Sequence, residues 1–401
     1  MVRKVYTLTP LTGIHIGTGE ELTFLDYKIA SLGDSKEKKY IKFSNDRILQ
    51  RLWEDEQKRT AFERASVNGN MKELQKFFQN NCTCADDIDY ICEITGEFLK
   101  TYNDNWDKDP YQNAAKVLQM YRSQGTPPRP VIPGSSLKGS IRTALLNIYL
   151  EDLYDLFPRD YENLLKYFKQ EKYIVKENKD FKQEKNFVKE NNMLQQKLLD
   201  YRDAKDDPLR AVSIPDCPFK ARGTQLVGGL KLVPLSLDPL ETQIQAEVIK
   251  GELLGGNAPS ELCISIDDKL QKTPFSLHWK DSLKCLKTIT FDDIRKSCND
   301  FYWGEFKEEY KKFYINASGG TKELIDKLED RLEEAITKGQ FIIRVGRWSQ
   351  VEFVTFEENF RKPETRVVRG KQLESGTTRT LFDYDGKYVP MGWCVLSEKE
   401  E

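Results

Sequence analysis

The chain has 401 residues, 62 of them Lys or Arg and 64 Asp or Glu, for a formal net charge of −2. That length can bury a substantial core and predicts two or three domains, while the balanced charge excludes a uniformly basic surface, so any polyanion must be held by local patches or shared with partner subunits. Eight cysteines fall without a disulfide-like spacing, and no apolar run reads as a targeting signal or a membrane span, so reduced thiols in a cytoplasmic protein are expected.

From the N-terminus, Val5 to Thr9 alternates as a strand does, and after Pro10 a short extended run, Ile14-His15-Ile16, ends in Gly17-Thr18-Gly19. Leu22 to Ile29 and Lys39 to Phe43 read as further strands, residues 45 to 79 as mainly helical, and 82 to 121 as helix and loop. The Pro127-Pro128-Arg129-Pro130 tract is extended and delivers the chain to a helix. Residues 159–207 are rich in Lys, Glu and Asn, and segment 168–178 is echoed by 181–191 with nine of eleven positions identical. Two copies at so short a period do not make a solenoid, and the mixed charges predict a solvated helical insertion. After Asp207-Pro208, strands are expected at Leu230 to Leu235, Thr242 to Ile249 and Leu262 to Ile266. Thr290 and Asp293 form a capping-box pattern that starts one helix, Thr321 to Lys338 is another, and a strand from Phe341 ends at Gly346. Strands and helices alternating twice predict an α+β fold in two modules, 1–206 with insertions at about 45–125 and 159–206, and 207–401.

The stretch with most chemical content is Gly134-Ser135-Ser136-Leu137-Lys138-Gly139-Ser140-Ile141-Arg142. Ile141, Ala144, Leu145 and Ile148 continue from Leu137 at helical spacing, so the first helical turn follows a small-residue bend and leaves backbone N–H groups free. Ser135 or Ser136 is placed to cap it. Lys138 and Arg142, one turn apart, are placed to hold an anion over the positive end of the helix dipole. Gly139 costs about 1 kcal/mol relative to alanine in a helix, and close approach of another backbone, protein or nucleic acid, would explain it. The order of residues does not fit a Walker A loop, because Lys138 precedes Gly139 and Ile141 follows Ser140. A capped helix start carrying two solvated cations is the plainer reading.

Arg344, Gly346, Arg347 and Trp348 combine cations, a permissive backbone and an aromatic ring, the kit for holding a single strand by phosphate contact and stacking, although Trp348 also suits a core. Between Asn359 and Thr380 lie Arg361, Lys362, Arg366, Arg369, Lys371 and Arg379 against Glu364 and Glu374, a one-sided segment that points to an anionic partner. Only two histidines, His15 and His278, are present, and no short motif assembles a catalytic triad or a zinc site; Cys82, Cys84 and Cys92 lack a fourth ligand nearby. His15 is read as a packed residue, a phosphate contact or a general base, and Asp26 is the one early carboxylate framed by strand residues.

Taken in order, Ile14 to Gly19, Pro133 to Arg142 and the late Gly346 loop resemble the motifs of the RAMP superfamily of CRISPR-associated proteins. Two-module length, Gly228 to Pro234 and Pro390-Met391-Gly392-Trp393 make the chain most similar to the fifth Csm subunits of type III-A interference complexes. The resemblance implies ferredoxin-like (RRM-like) modules, a non-catalytic grip on CRISPR RNA, a filament cap near the RNA 3′ end, and support of 3′-end maturation through recruited host nucleases. It implies contact with the neighbouring Csm backbone subunit and other complex subunits, and neither cofactor nor metal. Carried over by motif, Gly134, Ser135, Ser136, Lys138, Gly139 and Arg142 would contact the RNA backbone, with His15, Gly17 and Gly19 shaping the adjoining loop. Thr12-Gly13 separates Pro10-Leu11 from Ile14-His15, where relatives often place Pro almost directly before the motif. Backbone subunits of the same superfamily cut target RNA with an Asp after the first motif, a place comparable to that of Asp26, so an endoribonuclease using Asp26 or His15 is the alternative.

Overall fold

The alternating start folds as the strand Val2–Pro10, with Tyr6, Leu8 and Pro10 turned inward. In this computed structural model the residues described are 1–399 except 68, 70, 107–115, 167–193, 197, 200, 202, 204, 206, 222–224, 235–239, 258, 272–288, 357–364, 369–370 and 375–376. The first strand is the centre of a five-stranded antiparallel sheet ordered Phe341–Arg344, Trp393–Glu398, Val2–Pro10, Ser260–Ile266, Val212–Ser213. Tyr6 lies opposite both Leu262 and Glu398, which fixes which side chains face the core. Helices Gly134–Leu156 and Phe291–Glu309 join this sheet in one core that contains Leu8, Leu145, Phe306 and Trp393.

A second, larger sheet runs Gly17–Leu22, Val117–Met120, Leu240–Ile249, Gln225–Pro234, Ile88–Ile94, Lys38–Phe43, Tyr27–Ser31. Strand Gln225–Pro234 pairs in parallel with Ile88–Ile94 at Leu226 and Val227, then antiparallel with Thr378–Tyr384 from Leu230 to Pro234. Strand Lys387–Val389 follows by a hairpin. Each sheet draws strands from both sides of residue 206, so the expected division at 206/207 does not separate them. It would part Val2–Pro10 from Ser260–Ile266, and Ile88–Ile94 from Gln225–Pro234.

Local expectations differ from the structure in two places. Leu22 to Ile29 is not one strand: Asp26 accepts from the Thr23 N–H (2.8 Å) and hydroxyl (3.0 Å), closing a turn that ends one strand and starts the next. Residues 82 to 121, read as helix and loop, also supply Ile88–Ile94 and Val117–Met120. The helical reading after residue 45 corresponds to Asn45–Leu52, Glu56–Val67 and Met71–Asn81, and the Thr290/Asp293 capping box is formed reciprocally. The duplicated segments, His278, Arg361, Lys362 and Arg369 lie outside the described residues. No described helix is long and apolar enough to cross a membrane.

Candidate nucleic-acid interface

The long helix begins at Gly134 with Pro133 at its N-cap, and neither serine caps it. Instead the Gly134 N–H donates to the Asp216 carboxylate at 2.9 Å, so this chain's own anion sits at the positive end of the helix. Gly134 is buried and tight: a Cβ there would come within 2.0 Å of the Ile214 carbonyl oxygen. It is a packing residue, whereas a direct RNA contact was expected. Ser135 is exposed beside it.

The two cations of the motif do not share the expected task. Arg142 is held by Asp207 and by the Gln195 side chain at 3.1 Å. Lys138 makes no ion pair among the described residues; burial lowers its pKa, Asp207 opposes the shift and Arg142 adds to it. The opposite pattern of small residues, Ser136, Gly139, Ser140 and Thr143, recurs at helical spacing and lines a groove of about 370 Å³. Ile16 and Gly17 close one side, and Gly346, Arg347, Ser349, Phe353 and Val354 the other. All three sequence motifs therefore meet here. A Cβ on Gly139 would meet nothing within 4 Å, so its openness faces the groove and not another part of this chain.

Hydrogen bonds fix these walls to one another. The Ser140 hydroxyl donates to the Arg344 carbonyl at 2.9 Å, and the Arg347 N–H donates to the His15 carbonyl at 2.8 Å. Gly346, at φ +95°, approaches so closely that a Cβ would lie 2.7 Å from that same His15 oxygen. Arg347 is exposed, forms no ion pair among the described residues, and stands 5.1 Å from the Trp348 ring centroid. Trp348, at φ +66°, is half-buried against the His15 ring, centroids 5.0 Å apart. The arrangement offers one solvated guanidinium, hydroxyls and a backbone floor, which suits a ribose-phosphate strand.

The model of the RAMP superfamily matches residues 7–364. The chain belongs to the RAMP superfamily. No curated protein matches it. Among solved structures it is similar to a chain of the Csm–crRNA–target RNA ternary complex of a type III-A CRISPR-Cas system, seen by cryo-electron microscopy, with TM-score 0.65 and 18% identity over 99% of this chain and 100% of that one. It is also similar to Csm5 of T. onnurineus in its crystal structure, with TM-score 0.57 and 19% identity over 97% and 99% of the two chains.

Other residues expected to touch RNA in this RAMP protein are placed differently: Arg344 borders the groove, but its side chain is buried. Arg344 and Arg379 are enclosed and share Glu309, at 2.8 Å and 2.6 Å, and Arg379 also reaches Glu352 at 3.0 Å. They form a core ion network, because a strand end pointing inward can hold a guanidinium only where carboxylates meet it. His15 is buried, its Nδ1 2.7 Å from the Glu247 carbonyl, and burial lowers its pKa despite that bond. A carbonyl only accepts, so Nδ1 carries the proton and His15 is a neutral strut under Gly17 rather than a surface contact. Gly17 lines the groove, whereas Gly19, at φ +91°, is exposed in the edge strand beyond it. Asp26 is engaged in its own turn and does not line the groove.

Sequence reasoning passed over Thr143, Phe353, Asp216, Glu247 and Glu309. Thr143 was within reach, since Ser136, Gly139, Ser140 and Thr143 already share a helix face by spacing. The acids had no local signal: Glu247 accepts from Tyr90 (2.7 Å), the Met120 N–H (3.0 Å) and Arg122 (2.9 Å), partners more than a hundred residues away. Arg122 also lies 3.4 Å from the Tyr90 ring centroid, so this buried cluster anchors the sheet on which His15 rests.

Proposed function

We propose that this RAMP protein is a CRISPR RNA-binding subunit of a type III-A Csm effector complex, capping the backbone filament near the RNA 3′ end. In this reading its sheets are elaborated ferredoxin-like modules, it lies in the cytoplasm, and its partners are CRISPR RNA, the neighbouring backbone subunit and other Csm subunits. It does not cut RNA; it supports 3′-end maturation by presenting the end to recruited host nucleases. The observation that carries the reading is the meeting of Gly17, Gly139 and Gly346 around a groove whose exposed cation is Arg347. Ser136, Gly139, Gly17 and Arg347 are the RNA contacts, with Ser135 and Lys138 at the flank and Trp348 supporting Arg347. Similarity in fold to chains from Csm assemblies supports the placement in a complex. The engagement of His15 by the Glu247 carbonyl and of Asp26 by Thr23 supports a scaffold over a nuclease.

Crosslinking CRISPR RNA in an assembled Csm complex tests this. Crosslinks are expected within 136–143 and 346–349; a map that leaves both segments empty while RNA touches another face removes the assignment. Incubation of the purified chain with labelled CRISPR RNA and with complementary target RNA is expected to return both intact. Cleavage abolished by Asp26→Asn would establish the enzyme instead.

A further inference from the structure

The groove hydroxyls are not equivalent, and their hydrogen bonds set what each can still do. Ser140 Oγ contacts the Arg344 carbonyl at 2.9 Å and the Ser136 carbonyl at 3.3 Å, and Thr143 Oγ1 contacts the Gly139 carbonyl at 3.0 Å. Carbonyl oxygens only accept, so each hydroxyl has committed its single proton to the protein and turns lone pairs alone toward the groove. A phosphate oxygen carries no proton to give them. Ser136 differs: its hydroxyl has no hydrogen-bond partner among the described residues and stays free to donate, as does the Arg347 guanidinium.

We infer that this groove selects ribose over deoxyribose: Ser140 and Thr143 accept the hydrogen of a ribose 2′-hydroxyl, while Ser136 and Arg347 donate to the adjoining phosphate. The inference rests on the reading that a nucleic-acid strand occupies the groove, and adds which sugar it must carry. A 2′-hydroxyl is the one backbone group that can donate, and it is what distinguishes RNA from DNA at a single site. Two acceptors one helical turn apart, with a donor pair beside them, match a strand in which donor and acceptor alternate along the backbone. Val354 and Ile16 give the same groove an apolar wall that fits the base or sugar face and not a phosphate.

The test is an equilibrium titration of the full chain with a single-stranded RNA, the same sequence in deoxyribose, and RNA with 2′-fluoro sugars, which cannot donate. Crosslinking of the same strands inside the assembled complex runs in parallel. RNA is expected to bind roughly three- to tenfold more tightly than either analogue for each hydroxyl read. Thr143→Val, which keeps the shape and removes the lone pairs, is expected to erase part of that ratio; Ser140→Ala acts in the same direction but also cuts the tether to Arg344. Equal binding of ribose and deoxyribose strands that both crosslink to 136–143 overturns the sugar selection and leaves the RNA groove standing. A ribose preference untouched by either variant overturns the assignment to these residues. No crosslink to the groove from any strand overturns the underlying reading as well.

Discussion

Arg344 and Arg347 stand three residues apart and do different jobs, because the strand ends at Arg344 and Gly346 then turns the chain out to solvent. Glu309 sits between Arg344 and Arg379, so Glu309→Gln takes from the buried Arg344 guanidinium the carboxylate it bonds, leaves Arg379 with Glu352, and is expected to destabilise the fold by about 3–5 kcal/mol in denaturant unfolding. Arg347→Ala removes an exposed side chain, and its stability is expected to stay within about 0.5 kcal/mol of the parent. Its effect belongs to binding: the slope of log affinity against log salt for RNA is expected to fall by about 1, and an unchanged slope would take Arg347 off the phosphate. His15 carries a pH signature. Burial lowers its pKa below the ordinary 6.5, so below that pH the unfolded chain binds a proton that the folded protein refuses. Its contribution is complete above about pH 6.5 and is lost as pH falls towards the folded value, by up to about 1.4 kcal/mol per pH unit. His15→Asn is expected to flatten this part of the stability profile; His278 is common to both proteins, so the difference between the two curves reports His15. Parallel curves would mean that the imidazole is not held neutral.

At the scale of an element, the Gly134–Leu156 helix shows what sequence could and could not convey. Its position, its buried stripe through Leu137, Ile141 and Leu145, and its small-residue start were legible, since all three are periodic or local. The partners of that start were not: Asp216 at the helix end, Asp207 on Arg142 and Ile214 against Gly134 come from residues far along the chain, and nothing in nine letters announces them. The same limit hid the strand Ile88–Ile94, whose pairing with Gln225–Pro234 is what makes it a strand. The motif's two internal glycines should therefore part company on substitution. Gly134→Ala drives a methyl into the Ile214 backbone and is expected to cost 1–3 kcal/mol or more, as overpacking does. Gly139→Ala meets open space in a helix and is expected to raise stability by about 0.5–1 kcal/mol, while its methyl enters the groove and weakens RNA binding. Thermal unfolding and RNA titration of the two variants separate packing from function, and a Gly139→Ala protein that binds RNA unchanged would show that no strand approaches the helix there.

The whole molecule is interleaved, and this is why the composition shift near residue 206, though visible in the sequence, is not a fold boundary. Hydrophobic alternation identified Val5 to Thr9 as a strand, but alternation is silent about which strands flank it. In the fold it lies between Ser260–Ile266 and Trp393–Glu398, so the first ten residues close a sheet made by the last half of the chain. Side chains on that strand reach across the sequence: Leu8 shares a core with Leu145, Phe306 and Trp393. Removing it would leave two strands with unpaired edges around an apolar slot, and each unmade buried backbone bond costs about 1–3 kcal/mol, which a domain of ordinary stability cannot absorb many times over. The fragment 207–401 is therefore expected to lack a cooperative unfolding transition and to be degraded rapidly by protease, as is 1–206, whose first strand has lost both neighbours. Mixing the fragments should restore what neither has alone, because the sheet hydrogen bonds, and not the peptide link at 206, join the halves. A fragment 207–401 that unfolds cooperatively by itself would show that the small sheet does not depend on Val2–Pro10, and the sequential division into two modules would then be the right description.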